Sequence, residues 1–392
     1  MTSEILARPV GCCSRYRTRG QDGSGVRVTG FAHLSGGADL ACRGGPAEPI
    51  MRARLPTRSR TVTRPKVLIT SWLCDPADPI LDRLRALGCD LSDRRRPQRY
   101  GEDEMIALVQ DVDAVIAGSD QFTARVIAAA PRLKIIARVG VGYDTIDLAA
   151  ATARGIAVTI TPGANDRAVA DYTFGLIIAV ARFIPASDRF VRAGEWRRLA
   201  GADVAGATLG IIGLGRIGKN VARRAQGFEM RVLAYDTVQD PEFARQYGVR
   251  YVPLETLLAE SDFVTIHTPL TPETRHLLNA ERLRLMKPTA YLINTARGEI
   301  VDEAALAQAL REGWIAGAAL DVFAQEPPWD SPLMALRDRD NVVFSPHIAG
   351  SSRGANAAMY RLAVEEVARV LSGQPARYAV NPEIYRTGAT PV

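Results

Sequence analysis

The sequence is poor in several residue types that mark specialised proteins. Its 392 residues contain five cysteines, four histidines and 6% aromatic residues, and neither Cys74 nor Cys89 belongs to a CxxC or metal-type spacing. We therefore exclude a disulfide-stapled secreted module, expect no metal site, and expect a reducing compartment such as the cytoplasm. The longest uncharged apolar run, residues 174–181, is less than half of the roughly 20 residues that cross a bilayer, so we expect no membrane span.

The excess of positive charge is confined to one end of the chain. The first 64 residues hold 11 Lys and Arg against 4 Asp and Glu, whereas the other 328 hold 38 against 39. The body is near neutral, so we do not expect it to bind nucleic acid. Residues 1–64 lack a sustained apolar period and are predicted to be a disordered basic tail. A transit peptide, a true start at Met51 and a nucleic-acid arm remain alternatives for this tail.

From residue 66 onward, short apolar runs alternate with longer helical patterns. This alternation predicts an α/β fold with two doubly wound, mostly parallel sheets, one Rossmann-type and one flavodoxin-like. Fully apolar runs indicate strands that are covered on both faces. The predicted strands are 66–70, 114–117, 134–137 and 156–160, then 208–212, 231–235, 263–267, 290–294, 317–321 and 341–345.

A turn at residues 161–164 is the predicted domain boundary. Asn165, directly after it, is the expected N-cap of a long helix. The last predicted helix, 352–371, follows the second sheet, and we expect it to pack back on the first domain. The predicted domains are a discontinuous substrate domain of residues 65–164 and 346–382, and an NAD-binding domain of residues 165–345.

Gly213, Gly215 and Gly218 fit the pattern GxGxxG directly after the predicted strand 208–212. The first glycine permits a tight turn, the second lets a pyrophosphate approach the backbone, and the third lets helix and strand pack closely. The phosphates then meet free amides at the positive end of the helix dipole. Asp236 lies 18 residues after Gly218, where a carboxylate accepts from the ribose hydroxyls and repels a 2′-phosphate. The pattern predicts an NAD site.

Three polar residues, Arg297, Glu326 and His347, each follow a different predicted strand of the second sheet. Because the carboxyl ends of parallel strands share one edge, we expect these side chains at the edge where open α/β sheets bind ligands. A cation, a carboxylate and an imidazole together suit proton transfer at a carbonyl or alcohol next to an anionic group. The sequence therefore predicts an active site at this edge.

Four segments resemble the motifs of the D-isomer-specific 2-hydroxyacid dehydrogenases, in matching order. The resemblance extends from about residue 66 to 382 and is closest to the D-3-phosphoglycerate dehydrogenases. It implies hydride transfer between NAD and a D-2-hydroxy acid or 2-keto acid, with 3-phosphoglycerate as the first expected substrate. The alternatives are a glyoxylate or hydroxypyruvate reductase and an NAD(H)-dependent binding protein like the related corepressors. The segments are 213–218, 294–302, 319–327 and 345–350.

The resemblance also implies roles for the three polar residues. His347 is expected to be the acid/base, and Glu326 to be the hydrogen-bonded partner that stabilises the imidazolium. Arg297 is expected to bind the substrate carboxylate and polarise the keto group, with a fork that Lys cannot mimic. The three are the predicted catalytic residues.

Further residues are implied for the ligands. Asp321 is expected to hold the nicotinamide carboxamide, and Arg138 is placed where a substrate phosphate can be met. The other residues expected at the cofactor are Arg216, Ile217, Thr268 and Thr295. The residues whose backbone amides are expected to face the substrate carboxylate are Gly140, Val141 and Gly142.

Two departures from the family pattern weaken a close substrate assignment. Asp144-Thr145 stands where relatives often have Asp-Asn, and Asp166 to Asp171 stands where a serine and a glutamate are common. The chain ends at Val392 without the regulatory domain of some relatives, so feedback through such a domain is not expected. The long helix after Asn165 and the resemblance together lead us to expect a homodimer.

Overall fold

The computed structural model describes residues 64–386, and its first sheet contains five strands in the order β2-β1-β3-β4-β5. The strands are β1 (Lys66–Ser71), β2 (Asp90–Arg96), β3 (Ala114–Ala117), β4 (Ile135–Arg138) and β5 (Ala157–Thr159). All neighbouring pairs are parallel. This is the flavodoxin-like strand order, which confirms the prediction for the first sheet.

The second sheet has seven strands in the order β12-β11-β10-β9-β6-β7-β8, again all parallel. The strands are β6 (Thr208–Ile212), β7 (Arg231–Tyr235), β8 (Val249–Tyr251), β9 (Phe263–Ile266), β10 (Tyr291–Asn294), β11 (Gly317–Leu320) and β12 (Val342–Phe344). The order reverses between β6 and β9, which makes the crevice between these strands the switch point of a Rossmann-type sheet. The predicted fold class is confirmed.

Two strands were absent from the prediction, and both lie at the edge of a sheet. β2 has the sequence DLSDRRR and contains no fully buried residue, so it has no apolar run to identify it. β8 is only three residues long. Edge strands are covered less than central ones and tolerate charge, which removes the hydrophobic signal on which the prediction depended.

Twelve α-helices connect and cover the strands of the described residues. The long helix begins after Asn165, which stands at the N-cap position as expected. Its backbone is helical there (φ −116°, ψ 0°), however, and its side chain makes no capping bond. The helices are α1 (Asp82–Ala86), α2 (Glu102–Val109), α3 (Ala124–Ala128), α4 (Leu148–Ala153), α5 (Asp166–Ala181), α6 (Ile184–Arg192), α7 (Arg216–Ala225), α8 (Pro241–Tyr247), α9 (Leu254–Glu260), α10 (Ala280–Arg284), α11 (Glu303–Glu312) and α12 (Arg353–Leu371).

The last helix, α12, lies against the first sheet. Its N-cap is Ser352, whose hydroxyl accepts from the Ala355 amide. Met359, Tyr360 and Val364 are buried with the apolar residues of β1, β3 and β4 in one core cluster. The apolar stripe of α12 therefore covers one face of a sheet that was completed almost 200 residues earlier in the chain.

Some expectations concern features that the structure does not test. The predicted tail lies, apart from Arg64, outside the described residues, and the division into two domains stays a prediction. Within residues 64–386, no group of His, Cys, Asp and Glu is arranged to hold a metal ion. No single described helix is long and apolar enough to span a membrane, although α5 and α6, bent by 61°, pass that test as a pair.

Candidate active site

The glycine loop between β6 and α7 is shaped by close backbone contacts. Gly213 has a φ of +93°, and a Cβ there would lie 2.7 Å from the carbonyl carbon of His267 and the amide nitrogen of Thr268. A Cβ on Gly218 would overlap the carbonyl oxygen of Gly213, so α7 packs directly on the loop. At Gly215 a Cβ would meet nothing within 4 Å. The loop is thus closed toward the protein and open at the helix N-terminus, which fits a pyrophosphate.

Asp236 follows β7 and is held against the same loop. Its Oδ2 accepts from the Leu214 amide at 2.6 Å, and its Oδ1 accepts from the Val238 amide at 2.9 Å. A carboxylate has about four acceptor positions, so two remain for ribose hydroxyls. The glycine loop and this acid together fit the pyrophosphate and ribose of a dinucleotide.

The remaining expected cofactor residues continue along the carboxyl edge of the sheet. Asp321 follows β11, Thr295 follows β10 and Thr268 follows β9, in the spatial order that leads to the glycine loop. From β11 to β7 there are four strand spacings, roughly 19 Å at about 4.8 Å each. The residues therefore border one elongated groove. The other two expected cofactor residues, Arg216 and Ile217, begin α7.

Two of these residues are already bonded within the protein. The Thr295 hydroxyl lies 3.2 Å from that of Thr173 on α5. Asp321 is fully buried, and its carboxylate accepts from Ser345 Oγ at 2.6 Å, from the Ile348 amide at 3.0 Å and from the Ala349 amide at 2.7 Å. Most of the acceptor capacity expected to serve the nicotinamide carboxamide is therefore used by the chain itself.

His347 and Glu326 form a hydrogen-bonded pair at the end of the groove. The Nδ1 atom of His347 lies 2.9 Å from Oε2 and 3.1 Å from Oε1 of Glu326. Burial disfavours the charged carboxylate, but the hydrogen bond and charge of His347, the Phe323 amide and the charge of Arg297 together outweigh it, so the pKa of Glu326 lies below its usual value. The carboxylate is therefore ionised at neutral pH, and its bond to Nδ1 leaves Nε2 of the imidazole for a ligand.

Arg297 is oriented by two acceptors and lies over a glycine. Its Nε donates to Asp144 Oδ1 at 2.9 Å, and its Nη1 donates to the Ala296 carbonyl at 2.7 Å. A Cβ on Gly142 would overlap Nη2, so only glycine leaves room for the guanidinium. Burial opposes ionisation of Asp144, but Arg297 outweighs it and lowers the pKa of that carboxyl. Within the described residues Nη2 makes no bond, so it is available to an anion.

One cavity of about 780 Å³ brings these groups together. It is lined by Arg297, Glu326 and His347, which follow strands of the second sheet, by Arg138 at the end of β4, and by Gly142 from the loop after β4. The three predicted catalytic residues thus share a cleft with two of the predicted substrate-binding residues. Other lining residues include Arg99, Ser119, Gln121, Asp144, Thr145, Arg275, Glu299 and Phe323.

The loop at residues 140–142 offers fewer free amides than expected. The Gly140 amide donates to Thr161 Oγ1 at 3.0 Å and to the Arg138 carbonyl at 3.0 Å, so it is engaged inside the protein. In the described part of the chain, the amides of Val141 and Gly142 make no hydrogen bond. A substrate carboxylate would therefore meet the second half of this loop.

Sequence reasoning missed several residues of the cleft. Asp144 was noted only as a departure from the family pattern, although it orients Arg297 from 153 positions away in the chain. Arg99 and Arg275 are exposed cations of the cleft wall without any motif around them. Ser345 carried a weak signal, since it is the last residue of the predicted strand 341–345, at the same edge as the residues that were identified.

Comparison with known proteins identifies the class. A sequence model described as D-isomer specific 2-hydroxyacid dehydrogenase, NAD binding domain, matches residues 174–349. Glyoxylate reductase of Korarchaeum cryptofilum is 48% identical over 290 residues, which cover 72% of this chain and 86% of that protein. The chain belongs to the D-isomer-specific 2-hydroxyacid dehydrogenase family. It is an NAD-dependent oxidoreductase that acts on CH–OH groups.

Two solved structures agree in fold. A glyoxylate reductase from Paecilomyes thermophila is 30% identical with a TM-score of 0.71, and the match covers 81% of this chain and 98% of that chain. D-lactate dehydrogenase from Aquifex aeolicus, complexed with NAD and lactic acid, is 29% identical with a TM-score of 0.70. The second match covers 82% of this chain and 98% of that chain.

Proposed function

We propose that this enzyme reduces small 2-keto acids with NADH, and that glyoxylate and hydroxypyruvate are its first substrates. The observation that carries the proposal is the single cleft in which Arg297 lies beside Gly142 and opposite the His347–Glu326 pair. The relatives named glyoxylate reductase support glyoxylate over 3-phosphoglycerate, the substrate that the sequence resemblance suggested first.

Arg297 binds and orients the substrate in this proposal. Asp144 and the Ala296 carbonyl hold Nε and Nη1, so the guanidinium is fixed with Nη2 toward the cleft. A substrate carboxylate receives this donor together with the free amides of Val141 and Gly142. Because substrate and donor are held in position before the reaction, less entropy is lost in the reaction step and the barrier is lower. The same cation polarises the neighbouring keto group.

His347 supplies the proton. When bound, NADH would supply a hydride to the carbonyl carbon of the substrate, and the substrate oxygen would then need a proton. Glu326 accepts from Nδ1 and stabilises the imidazolium, so Nε2 carries a proton directed at the cleft. Transfer of that proton gives the hydroxy acid and leaves a neutral imidazole, which solvent reprotonates.

The test is a substrate panel with the purified full chain. We expect NADH oxidation with glyoxylate and with hydroxypyruvate, and a lower kcat/KM with NADPH because Asp236 repels a 2′-phosphate. Binding of NADH without turnover of any keto acid or hydroxy acid would overturn the proposal. That result would favour the NAD(H)-dependent binding protein considered from the sequence.

A second candidate function is oxidation of 3-phosphoglycerate, and Arg138 favours it. Its Nε atom is buried and has no hydrogen-bond partner within the described residues. Burial and the nearby Arg297 lower the pKa of Arg138 to about 10, so it is still a cation at neutral pH. A cleft of about 780 Å³ with Arg99 and Arg275 in its wall has room for a second anionic group.

Phosphate recognition is tested by comparing 3-phosphoglycerate with D-glycerate, which differs only by that group. Phosphate binding by Arg138 would raise kcat/KM at least about tenfold, since a charge-assisted hydrogen bond contributes about 1.5–3 kcal/mol. Equal kcat/KM values for the two acids would remove this candidate and leave glyoxylate and hydroxypyruvate reduction unaffected.

We also propose that the two sheets are separate domains, as predicted. Residues 165–345 would bind the cofactor, and residues 65–164 with 346–382 would bind the substrate. The packing of α12 on β3 and β4 supports this division, because it returns the end of the chain to the first sheet. Expression of residues 165–345 alone should give a folded protein that binds NADH; an unfolded product would contradict the division.

A homodimer is proposed from an exposed apolar surface on α6 and the residues after it. Ile184, Val191 and Trp196 are 51%, 60% and 80% exposed. Apolar side chains grouped in this way commonly mark an interface. Light scattering should give twice the chain mass, and a monomer at all micromolar concentrations would contradict the proposal.

A further inference from the structure

The acid/base residue sits on an unusual piece of backbone. His347 has a φ of +54°, a left-handed conformation that few residues other than glycine adopt. Such a conformation persists only where its surroundings hold it. The structure must therefore contain groups that fix this turn, and the bonds between Glu326 and His347 do not hold the backbone because they reach only the imidazole.

Asp321 holds the turn from both sides of His347. Its backbone carbonyl accepts from the His347 amide at 2.8 Å. Its carboxylate accepts from the two amides that follow, those of Ile348 at 3.0 Å and Ala349 at 2.7 Å. Three consecutive peptide groups are thus bonded to one residue. Movement of the Asp321 side chain would break the bonds to Ile348 and Ala349, the two residues that follow His347.

Ser345 in turn holds the carboxylate. Its Oγ donates to Asp321 Oδ1 at 2.6 Å, the same oxygen that accepts from Ile348. Asp321 is fully buried and, within residues 64–386, forms no salt bridge. Among these residues the negative charge is therefore stabilised by hydrogen bonds alone, and the hydroxyl is one of the three donors that they offer to the carboxylate.

We propose that Asp321 and Ser345 are positioning residues for His347, which fix the left-handed turn that directs the imidazole into the cleft. This role differs from the contact with the nicotinamide carboxamide that the family resemblance implies for Asp321. It rests on the proposed function, because it matters for turnover only if His347 donates the proton.

Loss of the Ser345 hydroxyl has a defined physical consequence. The buried carboxylate loses a donor and turns toward other partners, so the bonds to the Ile348 and Ala349 amides weaken. The turn relaxes and the imidazole moves away from Glu326, to which Nδ1 is bonded at 2.9 Å. Arg297 and the glycine loop are untouched. Proton transfer is impaired, whereas binding of substrate and cofactor is retained.

The test compares S345A with S261A in the full-length enzyme. Ser261 is the control, because its hydroxyl likewise donates a 2.6 Å bond, to the Leu257 carbonyl, but at the amino end of β9; it is more deeply buried than Ser345, so its loss should affect stability at least as much. For S345A we expect kcat for glyoxylate to fall about 10- to 100-fold, as misplacement by about 1 Å costs up to that factor. The KM for glyoxylate and the Kd for NADH should stay within about twofold. S261A should keep the wild-type kcat.

The pH profile separates positioning from a general structural effect. Reduction needs the imidazolium, so its rate falls as pH rises and the proton is lost. If the bond to Glu326 loosens, the dependence of kcat on pH should differ between S345A and the wild type, which a purely structural loss of active enzyme would not cause. S345T restores a hydroxyl at the same position and should recover kcat and the wild-type profile.

Several outcomes would overturn the proposal. These are a wild-type kcat and profile in S345A, or a loss of kcat that comes with an equal loss of NADH affinity. If S345A does not fold, S345C keeps a side chain of similar size with a much weaker donor toward Asp321, and the same split between kcat and Kd is expected. A crystal structure of either variant gives an answer without turnover, since an unchanged His347 φ and Nδ1–Oε2 distance would refute positioning. Failure of wild type on every keto acid would refute the proposed function instead.

Discussion

The two ends of the seven-stranded sheet use polar side chains for opposite purposes. At the amino end, Asp262 accepts from the Thr208 amide at 2.8 Å and from Lys287 Nζ at 2.7 Å, and Asn341 donates to the Ala316 carbonyl at 2.7 Å. These groups complete the hydrogen bonding of backbone that the strands leave unpaired. At the carboxyl end, polar atoms of the cleft stay unbonded or sit on strained backbone.

The carboxyl end shows this difference in two ways. Among the described residues, Nη2 of Arg297 makes no hydrogen bond above Gly142, and His347 has a left-handed backbone. Arg138, at the end of β4 in the first sheet, adds a buried Nε with no partner in the described part of the chain. Unsatisfied buried groups and strain both cost stability, so they persist where a ligand or a reaction uses them. In the seven-stranded sheet, the paired polar groups at the amino end therefore have structural roles, whereas an unbonded donor and a strained backbone occur at the carboxyl end, where the cleft lies.

The largest loss of activity is expected when His347 is replaced. In H347A the cleft loses its proton donor, and we expect kcat for keto-acid reduction to fall by about 10² to 10⁴, the usual contribution of general acid catalysis. Stopped-flow titration should give an unchanged Kd for NADH, because the residue lies outside the glycine loop. Retained turnover would remove His347 from the mechanism.

The next largest effect is expected for Arg297. R297K keeps a positive charge but loses the planar fork that bonds Asp144 and Ala296 while facing the substrate. We expect kcat/KM to fall about 100-fold, with most of the loss in KM. G142A is a companion variant, because its Cβ would displace the guanidinium. If G142A had wild-type KM, the close contact would have no role in binding.

At the amino end, a change of similar chemistry should leave catalysis intact. D262N removes a carboxylate whose pKa is lowered, since bonds to Lys287 and Thr208 outweigh the opposing effect of burial. We expect the free energy of unfolding to fall by about 1–2 kcal/mol, reduced by the partial exposure of the pair. Denaturant unfolding measures the loss. A tenfold fall in kcat would contradict the division between the two ends.

The smallest effect concerns a histidine that the mechanism does not use. His267 follows β9, bonds Thr265 through Nε2 at 2.9 Å, and burial lowers its pKa to about 3. The unfolded chain therefore binds one more proton between pH 6.5 and 3, and stability falls as pH drops through that window. At pH 5.5 the loss is about 1.3 kcal/mol relative to pH 7. H267Q should show a correspondingly flatter dependence in denaturant titrations.

Much of the fold was predictable because central strands and the glycine loop carry local signals. The strands β3, β6 and β7 match their predicted bounds. Each is a largely apolar run, because a central strand of a parallel sheet is covered on both faces. β2 and β8 were missed because an edge strand needs no such run. Asn165 was expected to cap α5 with its side chain, but its local backbone conformation prevents the bond.

In the cleft too, the residues that were predicted carry a signal in the sequence, and the residues that were missed do not. Arg297, Glu326 and His347 were identified because each follows a strand of one parallel sheet, and topology alone brings such positions to one edge. Asp144 comes from the other sheet, so no spacing in the chain connects it with Arg297. The hydrogen bond from the Gly140 amide to Thr161 could not be predicted either, because the sequence does not show whether a backbone amide is free or bonded.

By itself the sequence determined the two parallel sheets, the dinucleotide loop and the edge at which an arginine, a glutamate and a histidine emerge. These features follow from periodicity and from glycine sterics, which act between neighbours in the chain. Only the tertiary structure decided which of those groups are bonded, which are free, and that Asp321 and Ser345 hold the turn of His347. A hydrogen bond between distant segments forms or fails with a change of a few tenths of an ångström in the distance between donor and acceptor, which no local pattern specifies.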